Sequence, residues 1–462
     1  LQIEPIPAFD LEETAPAAVF HLLGGEMRKA TAETPLSPLW QDIYGFFDEN
    51  SQWQKRLSLL KQGIGKTAKP ERLSPKTAKA LYGKNIFSSV SRLERFAGCP
   101  FSFFAEYGLK AEERRLYQLN TPDLGSLFHE VLELFSNKLE QDSLPWTSLT
   151  KEETTARIHA AVEDAAPRLG NRILLDSAAN QYLIRRLKRI STRAAWTLVQ
   201  HLQQGDFVPA GYEVGFGAHE ALPPIVIRLQ DGGSLILNGK IDRVDLLDAN
   251  GTRYVKIIDY KSGNKTFHFQ DIYYGLQLQL LVYLDAYLKY YKKTGASFKP
   301  GGVFYFRITD PTLALDEELS AEAIEKILYE KMRMSGLLLQ EDVLIHGLDH
   351  SLAKSRSSAI VPVGYTKKGD PTAASNLATE EQYAAILDFV ATRTQEIGDA
   401  MKAGIITPAP YRDGQRTPCS YCSYRSLCRH SYGEAPRWRK LKKIDKADFW
   451  ESITPKQPTE TE

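Results

Sequence analysis

The stretch DRVDLLDANGTRYVKIIDYK, residues 242–261, contains two runs of alternating apolar and polar residues on either side of an Asn-Gly pair. Asn250 and Gly251 both tolerate the positive φ angles of a type I′ turn, so the pattern predicts a tight β-hairpin. A turn centred on these two residues places Asp242 directly opposite Asp259. The same register pairs Val244 with Ile257, Leu246 with Val255 and Lys240 with Lys261.

The predicted pairing of Asp242 with Asp259 is unfavourable unless a further group offsets it. Directly opposed side chains have Cβ atoms about 4.5–5.5 Å apart, and like charges at that distance destabilise a sheet. A raised pKa on one acid would relieve the repulsion, and so would a divalent cation between the two carboxylates. The change from Val and Ile to Asp259 and Lys261 also fits a strand that runs out into solvent. The second acid, forced opposite the first, favours a metal-dependent active site.

Composition sets broad limits on the rest of the chain. The 462 residues, 43% of them hydrophobic, suffice for about two to four domains with real cores. The formal charge of +1 neither favours nor excludes a nucleic-acid ligand, because a basic groove can exist within a neutral total. No apolar run approaches the length of a membrane span and no secretory signal opens the chain, so a cytoplasmic location is predicted. The first residue is Leu rather than Met, as expected of a piece of a longer polypeptide.

Helical and strand patterns alternate along the chain. The stretch 123–139, DLGSLFHEVLELFSNKL, has apolar residues at helical spacing, and a longer helical region follows at about 152–204. Strands are predicted within 211–261, one strong helix at 270–291 and a further strand at 301–308. The long helical region contains a run of cations that is more typical of a solvated helix face than of a DNA contact: Arg185, Arg186, Lys188, Arg189 and Arg193.

Three of the four cysteines form a tight cluster, CSYCSYRSLC, at Cys419, Cys422 and Cys428. This spacing is unlike that of structural disulfides and is typical of thiolates that hold zinc or an iron–sulfur cluster. A fourth ligand is needed, and Cys99 is the remaining cysteine, so a bound metal would join distant parts of the chain. The spacing does not separate iron–sulfur from zinc, and His430 leaves a mixed zinc site open.

Several short motifs together resemble the RecB-type branch of the PD-(D/E)XK nuclease superfamily. They are GKIDRVD at 239–245, IIDYKSG at 257–263 and the pair Gln279 and Tyr283, with GSLFH at 125–129 supplying a histidine upstream. When the four cysteines are added, the arrangement resembles the nuclease domain of the AddB family of helicase–nuclease subunits. The resemblance covers roughly residues 86–432.

The resemblance implies a fold and a domain order. The fold would be an α/β restriction-endonuclease-like core with a mixed sheet, large helical insertions and an iron–sulfur staple. Residues 1–85 would be the end of a preceding helicase-like domain or a linker, and residues 86–432 the nuclease domain. Residues 433–462, which are basic and then acidic, would form a flexible tail.

The resemblance also implies a metal shell. Asp242 and Asp259 match the metal-binding acids of the family, and His129 matches the helical histidine that completes the shell. The backbone carbonyl of Tyr260 is a further candidate ligand. The implied metal is Mg²⁺ or Mn²⁺. Without the resemblance, His129 would be interpreted as an ordinary surface or packing residue.

Three further residues take catalytic roles by the same resemblance. Lys261 matches the lysine that orients or activates the attacking water and offsets charge on the scissile phosphate. Gln279 and Tyr283 lie one helical turn apart, hence on one face, and would contact DNA or this lysine. Glu213 is interpreted as a solvent-facing strand residue in preference to an auxiliary acid, and Lys240 as a phosphate contact or a charge at the strand edge.

The function implied by the resemblance is that of a DNA exonuclease in a complex that resects double-strand break ends for recombinational repair. It would cut the 5′-ended strand, with DNA as substrate and an AddA-like helicase–nuclease subunit as heterodimer partner. The second implied cofactor is a 4Fe-4S cluster on Cys99, Cys419, Cys422 and Cys428. Two alternatives stay open: a stand-alone Cas4-like iron–sulfur nuclease, and a non-catalytic DNA-binding scaffold.

Overall fold

A computed structural model describes most of the chain, namely residues 15–30, 35–64, 72–112, 121–168, 178–313, 318–428 and 438–454. The chain divides into two compact units. Unit 1 comprises residues 1–78, 98–113 and 403–442, and unit 2 comprises residues 79–97, 114–402 and 443–462. Within the described residues, no helix is long and apolar enough to span a membrane.

The helices of the described residues are, in chain order, α1 (Pro16–Lys29), α2 (Pro38–Glu49), α3 (Ser51–Ile64), α4 (Pro75–Tyr82), α5 (Val90–Gly98), α6 (Pro100–Phe103), α7 (Thr121–Gln141), α8 (Lys151–Ala165), α9 (Ala178–Gln203), α10 (Phe269–Tyr273), α11 (Gln279–Lys293), α12 (Ala321–Lys331), α13 (Asp342–Leu348), α14 (Glu380–Lys402), α15 (Arg425–Cys428) and α16 (Lys446–Ile453). The strands are β1 (Asn85–Ser88), β2 (Val208–Phe216), β3 (Ile225–Arg228), β4 (Ser234–Leu237), β5 (Gly239–Ala249), β6 (Thr252–Lys261), β7 (Phe298–Arg307), β8 (Ser335–Leu339), β9 (Leu377–Ala378), β10 (Tyr411–Arg412) and β11 (Arg439–Lys440). The predicted helices at 123–139 and 152–204 are present as α7, α8 and α9.

In unit 1, helices α1 to α3 pack around a small core of their own. Leu23, Phe47 and Leu57 are almost fully buried there, and the rings of Phe47 and Trp53 meet edge to face at 5.1 Å. This segment is therefore a packed helical element and not an extended linker. The segments that carry the cysteines, 98–113 and 403–442, fall into the same unit. The units thus do not follow the predicted linear boundaries at 85 and 432.

Unit 2 is built on a six-stranded mixed sheet with the order β2-β5-β6-β7-β8-β9. Strand β6 lies near its centre, antiparallel to β5 and parallel to β7. Residues 254–260 of β6 are all buried, as expected of a strand that is covered on both faces. The parallel step from β6 to β7 runs through α10 and α11. A second sheet, with the order β1-β4-β3, also belongs to unit 2.

The hairpin register predicted from the Asn-Gly turn is confirmed along the strands. Asn250 and Gly251 have φ angles of 52° and 74°, as a type I′ turn requires. The ladder runs from Ala249 paired with Thr252 as far as Arg243 paired with Ile258, and includes Val244 with Ile257 and Leu246 with Val255. It ends before the two acids, so Asp242 with Asp259 and Lys240 with Lys261 are not ladder pairs, and that part of the prediction is wrong.

The predicted single helix at 270–291 is wrong, because the chain breaks it into α10 and α11. Gly275 lies between them with a φ angle of +74°, a left-handed conformation that side chains other than glycine rarely adopt. The break makes Gln279 the first residue of α11. It therefore lies at a helix end that points toward the sheet edge.

Residues 446–453 form helix α16, which differs from the flexible tail expected for 433–462; residues 433–437 and 455–462 lie outside the described residues. Asp445 accepts a hydrogen bond from the backbone N–H of Asp448 and caps α16. Phe449 and Trp450 are buried, and their rings lie 5.1 and 5.5 Å from that of Phe269. The basic and Pro-rich composition had suggested fraying, but two adjacent aromatic residues suffice to hold this helix on unit 2.

Candidate metal centre and active site

The predicted site residues meet at one edge of the six-stranded sheet. Asp242 lies near the start of β5, and Asp259 and Lys261 lie at the end of its hairpin partner β6. Helix α7 contacts β2 beside this edge and brings His129 to it. Glu213 comes from β2 itself. All five side chains belong to unit 2.

His129, Glu213 and Asp242 form a compact group of metal-ligand atoms, which all lie within 4.8 Å of one another. Nδ1 of His129 is 3.4 Å from Oδ1 of Asp242. Among the residues that the structure describes, no other set of three His, Cys, Asp or Glu side chains meets this spacing. His129 and Glu213 line a groove of about 720 Å³ together with Ser126 and Ser262. Carboxylate oxygens suit Mg²⁺ and Mn²⁺, and the imidazole nitrogen of His129 is a donor that transition metals accept.

Asp242 also fixes the backbone where the hairpin ladder ends. Its Oδ2 atom accepts a hydrogen bond of 2.5 Å from the backbone N–H of Tyr260. The carboxylate thus replaces the strand-to-strand bond that regular pairing would have formed, and its Oδ1 atom faces His129. The Tyr260 side chain is buried, and its ring lies 6.0 Å from the imidazole of His129.

Asp259 has different partners from Asp242. Its carboxylate forms an ion pair with Lys261 and accepts a 2.8 Å hydrogen bond from the side-chain amide of Gln279. Asp259 is 3% exposed and is not a member of the three-ligand group. Its assignment as a metal ligand stays a prediction, as does that of the Tyr260 carbonyl.

Burial and the close approach of several acids shift the pKa values of the site residues. Burial and the charge of Asp242 raise the pKa of Glu213 to about 7. Burial and Asp242 likewise raise the pKa of Asp259 to about 6, against the attraction of Lys261. Burial lowers the pKa of His129, but its hydrogen bond with Asp242 and the charges of Asp242 and Asp259 together outweigh this, and the pKa ends above its usual value. A divalent cation would relieve this repulsion.

Tyr283 is placed to hold the start of β5. It is buried, stacks on Phe216 at 5.6 Å, and its hydroxyl lies against the backbone at Gly239. A Cβ atom at Gly239 would come within 2.1 Å of that hydroxyl oxygen, so the motif at this point requires glycine. Tyr283 thus lies against the strand that carries Asp242, and its contact with DNA or Lys261 stays a prediction.

Sequence reasoning missed Glu94, which positions Gln279. One oxygen of its carboxylate accepts hydrogen bonds from the backbone N–H groups of Leu278 and Gln279, at 2.8 and 3.0 Å. Its other oxygen pairs with Lys265 at 3.2 Å. A carboxylate at a helix N-terminus satisfies free N–H groups and interacts favourably with the helix dipole. No local sequence signal links Glu94, on α5, to α11.

The interpretation of Glu213 as a solvent-facing residue is wrong. Its side chain is 15% exposed and lies 3.5 Å from Lys240. Its φ angle of 47° is uncommon for a residue other than glycine and accompanies an irregular pairing of β2 with β5. This local distortion directs the carboxylate toward His129 and Asp242. The alternation of the strand alone gave no sign of it.

The four cysteines lie in unit 1, and all carry free thiols. Cys99 precedes α6 and is buried, which raises the pKa of its thiol, and the proximity of Cys419 adds to that rise. Cys419 in turn interacts with Cys422 and Cys428. The structure therefore brings together the distant cysteines that the sequence paired. His430 lies outside the described residues.

The mixed sheet and its edge of histidine, acids and lysine define the class: a nuclease core of the restriction-endonuclease type. A family model described as the PD-(D/E)XK nuclease superfamily matches residues 88–429, and the chain belongs to this superfamily. Its nucleases use divalent metal ions. A second family model, described as the ATP-dependent helicase/deoxyribonuclease AddB fifth domain, matches residues 14–63.

Curated relatives extend the similarity over nearly the whole chain. A protein from Alkaliphilus oremlandii, named as the B-type subunit of an ATP-dependent helicase/deoxyribonuclease, is 40% identical over 95% of this chain and 38% of its own length. Proteins of the same name from Alkaliphilus metalliredigens and Anoxybacillus flavithermus are 41% and 36% identical over 90% and 89% of the chain. Each alignment covers 36% of those two relatives. The chain therefore spans less than two fifths of the length of these relatives.

Proposed function

We propose that this chain is the nuclease part of a helicase–nuclease subunit and that it hydrolyses DNA phosphodiester bonds at the edge of the β5–β6 hairpin. The observation that carries the proposal is the convergence of His129, Glu213 and Asp242 beside the ion pair of Asp259 and Lys261. A structural ion-pair cluster would balance its acids with bases. Here the three carboxylates have His129, Lys240 and Lys261 as basic neighbours, yet burial and repulsion from Asp242 still raise the pKa values of Glu213 and Asp259.

The donor set fits a divalent cation of the Mg²⁺ or Mn²⁺ kind. His129, Glu213 and Asp242 would hold it, with Asp259 and the carbonyl of Tyr260 as further ligands. When bound there, the cation would polarise the scissile phosphate and lower the pKa of a coordinated water. We include Glu213 in the proposed shell because its ligand atom lies in the same 4.8 Å group.

The remaining residues either balance charge on the phosphate or hold other site residues in position. Lys261 lies beside Asp259 at the strand end, where its ammonium would stabilise the negative charge that develops on the phosphate. Gln279 holds the second oxygen of Asp259, so that the carboxylate keeps one orientation. Tyr283 and Glu94 have positioning roles. Tyr283 fixes the start of β5, which carries Asp242, and Glu94 fixes the start of α11, which carries Gln279.

The biological setting of the proposal comes from the relatives. Proteins of that name are subunits of a helicase–deoxyribonuclease, so we propose that the chain works with an AddA-like helicase subunit in the cytoplasm. In that complex it would cut the 5′-ended strand as double-strand break ends are unwound for recombinational repair. A stand-alone Cas4-like nuclease would not account for the match of residues 14–63 to an AddB domain. A non-catalytic scaffold would not account for a complete set of site residues.

The direct test is digestion of linear DNA by the purified chain in the presence of Mg²⁺ or Mn²⁺. We expect degradation that EDTA abolishes, and a fall of about 10²–10³-fold in rate for Lys261→Gln, because the transition state loses an electrostatic partner. Lys292→Gln, an exposed lysine on α11, is the matched control and should cut like the parent. A folded parent chain that leaves DNA intact with either metal would contradict the proposal.

We also propose that Cys99, Cys419, Cys422 and Cys428 hold a 4Fe-4S cluster in unit 1. The cysteine spacing fits either zinc or an iron–sulfur cluster, and the resemblance to the AddB family favours the cluster. Its role would be structural, because metal binding contributes to folding.

Metal analysis after anaerobic purification tests this assignment. We expect about four iron atoms and as many sulfides per chain, with the visible absorption of an iron–sulfur protein. Cys419→Ser should lose the iron and lower the melting temperature, because unit 1 loses a cross-link between its distant segments. Ser423→Ala, in the same loop, is the control and should keep the iron. One zinc per chain in place of iron would overturn the assignment of an iron–sulfur cluster to these cysteines.

A further inference from the structure

A second cavity in unit 2, with a volume of about 570 Å³, lies between α8, α9 and α12. Its described lining is strongly cationic, with Glu325 as the one acid. The lining cations are Lys151, Arg185, Lys188, Arg189, Arg193 and Lys326. Four of these six belong to the cationic run of α9 that the sequence had favoured as an ordinary solvated face. That interpretation does not account for a run that lines a concave site.

Structural ion pairs neutralise only part of this charge. Asp310 pairs with Arg189 at 2.7 Å and with Arg193 at 3.3 Å. Lys188 pairs with Glu163 at 2.6 Å. These contacts hold the side chains in place, and all three cations still line the cavity.

Glu325 is shared between two further cations. It lies 3.7 Å from Arg193 and 3.8 Å from Lys151. Within the described residues, Arg185 and Lys326 have no carboxylate at ion-pair distance, although both line the cavity. Three acids thus face six cations, and the surplus charge calls for an anionic ligand.

The walls add features that point to a nucleotide. Trp196 and Tyr329 are half-buried and line the same cavity as the cations. The hydroxyl of Thr192 is buried there and has no hydrogen-bond partner in the described structure. Phosphate recognition by cations combined with base stacking on aromatic rings is the general mode of single-strand binding. A duplex could not place its stacked bases in a cavity of this size.

The cavity lies beyond the same sheet edge as the active site. Lys261 at the end of β6 accepts a hydrogen bond of 2.9 Å through its carbonyl from the backbone N–H of Ile308, just after the parallel strand β7. Asp310, which anchors Arg189 and Arg193, follows two residues later. Two residues of chain span at most about 7 Å. A DNA strand that crosses this edge of the sheet would pass from the active site to the cavity.

We propose that this cavity binds unpaired DNA, with its cations on successive phosphates and Trp196 stacking on a base. It would hold the strand that is being cut, on one side of the catalytic groove. The inference rests on the proposed function, which supplies the strand. Binding itself requires neither the catalytic metal nor cleavage.

Fluorescence anisotropy with a labelled oligodeoxythymidylate of about 15 nucleotides, in EDTA, tests the proposal. For the full chain with Arg185→Gln and Lys326→Gln we expect binding about tenfold weaker at low salt. The slope of log K against log salt should fall by about 0.7 for each phosphate that the variant no longer neutralises. The matched control is Arg186→Gln with Lys293→Gln, which removes the same charge from exposed positions outside the cavity.

The chosen variants avoid the ion-paired residues, so neither change leaves an acid without its partner. Trp196→Leu should also weaken binding, but with an unchanged salt slope, because stacking releases no counterions. Equal affinities of the double variant and its control would overturn the proposal. Displacement of the oligonucleotide by thymidine monophosphate at equal phosphate concentration would also overturn it, in favour of a free-nucleotide pocket. Loss of DNA cutting in Lys261→Gln is measured separately, so the two proposals fail independently.

Discussion

Asp242→Asn is expected to lower DNA digestion by about 10³-fold or more while the protein stays folded. The side chain would be a ligand of the proposed metal shell, since its ligand atom lies within 4.8 Å of those of His129 and Glu213. An amide oxygen is a weaker ligand than a carboxylate and provides no charge. It still accepts the hydrogen bond from the backbone N–H of Tyr260, so the end of the hairpin keeps its geometry. The substitution therefore separates the metal role of Asp242 from its structural role.

The same substitution is expected to stabilise the metal-free protein at neutral pH. Burial and Asp242 raise the pKa of Asp259 to about 6, so the folded state binds more protons than the unfolded chain between about pH 4 and 6. Stability falls as the pH rises through that window, and the loss persists above it. Removing the charge of Asp242 reduces this loss. The gain in melting temperature of the variant over the parent should therefore be larger at pH 8 than at pH 4.

Metal addition supplies a measurement that does not depend on activity. A ligand that binds only the folded state stabilises it by about 2.7 kcal/mol at 100 times its Kd. The melting temperature of the parent should rise with Mn²⁺ in EDTA-free buffer, and that of Asp242→Asn should not. Asp248→Asn, on the same strand but in an exposed pair with Arg253, is the control and should behave like the parent. Full activity of Asp242→Asn, or an unchanged metal shift, would contradict the assignment.

The parts of the site that could be predicted from sequence are those set by local chemistry. Asn250 and Gly251 fix the turn, and the two-residue turn fixes the register as far as Arg243 and Ile258. That register brings Asp242 and Asp259 to the same end of the hairpin. They do not form a ladder pair because the carboxylate of Asp242 takes the N–H that the ladder would have used.

The residues that sequence reasoning missed depend on contacts between distant segments. Glu213 reaches the site through the pairing of β2 with β5 and through a left-handed backbone angle. The neighbouring residues in the sequence give no sign of this angle. Glu94 meets α11 from a helix that is distant in sequence. The sequence around Arg185 and Arg189 indicates a solvated face because the helix that completes the cavity, α12, lies far along the chain.

Asp245→Ala is expected to have the largest effect on stability, a loss of about 3–5 kcal/mol in the free energy of unfolding. Asp245 is fully buried and holds two buried cations. It accepts two hydrogen bonds from Arg243, at 2.6 and 3.1 Å, and pairs with Lys256 at 2.9 Å. Breaking a buried pair on one side leaves charge with neither water nor a partner. Urea unfolding followed by circular dichroism would measure the loss.

The two cations should respond differently to the loss of Asp245. Burial already lowers the pKa of Lys256, so this side chain can lose its buried charge by releasing a proton. Arg243 stays charged at any accessible pH, and its contact with the face of Trp146, 4.7 Å away, does not neutralise that charge. Most of the destabilisation therefore comes from Arg243. It should persist at high pH, where Lys256 is neutral.

Two further variants decide whether the buried charge or a general loss of packing is responsible. Asp248→Ala lies on the same strand, but its pair with Arg253 is exposed, so its stability should stay close to that of the parent. Replacing Arg243 and Lys256 with methionine and Asp245 with leucine together removes all three charges at similar volume, and should recover most of the stability lost by Asp245→Ala. If the triple variant unfolds as easily as the single one, the unpaired charge of Arg243 is not the cause of the loss, and this prediction is wrong.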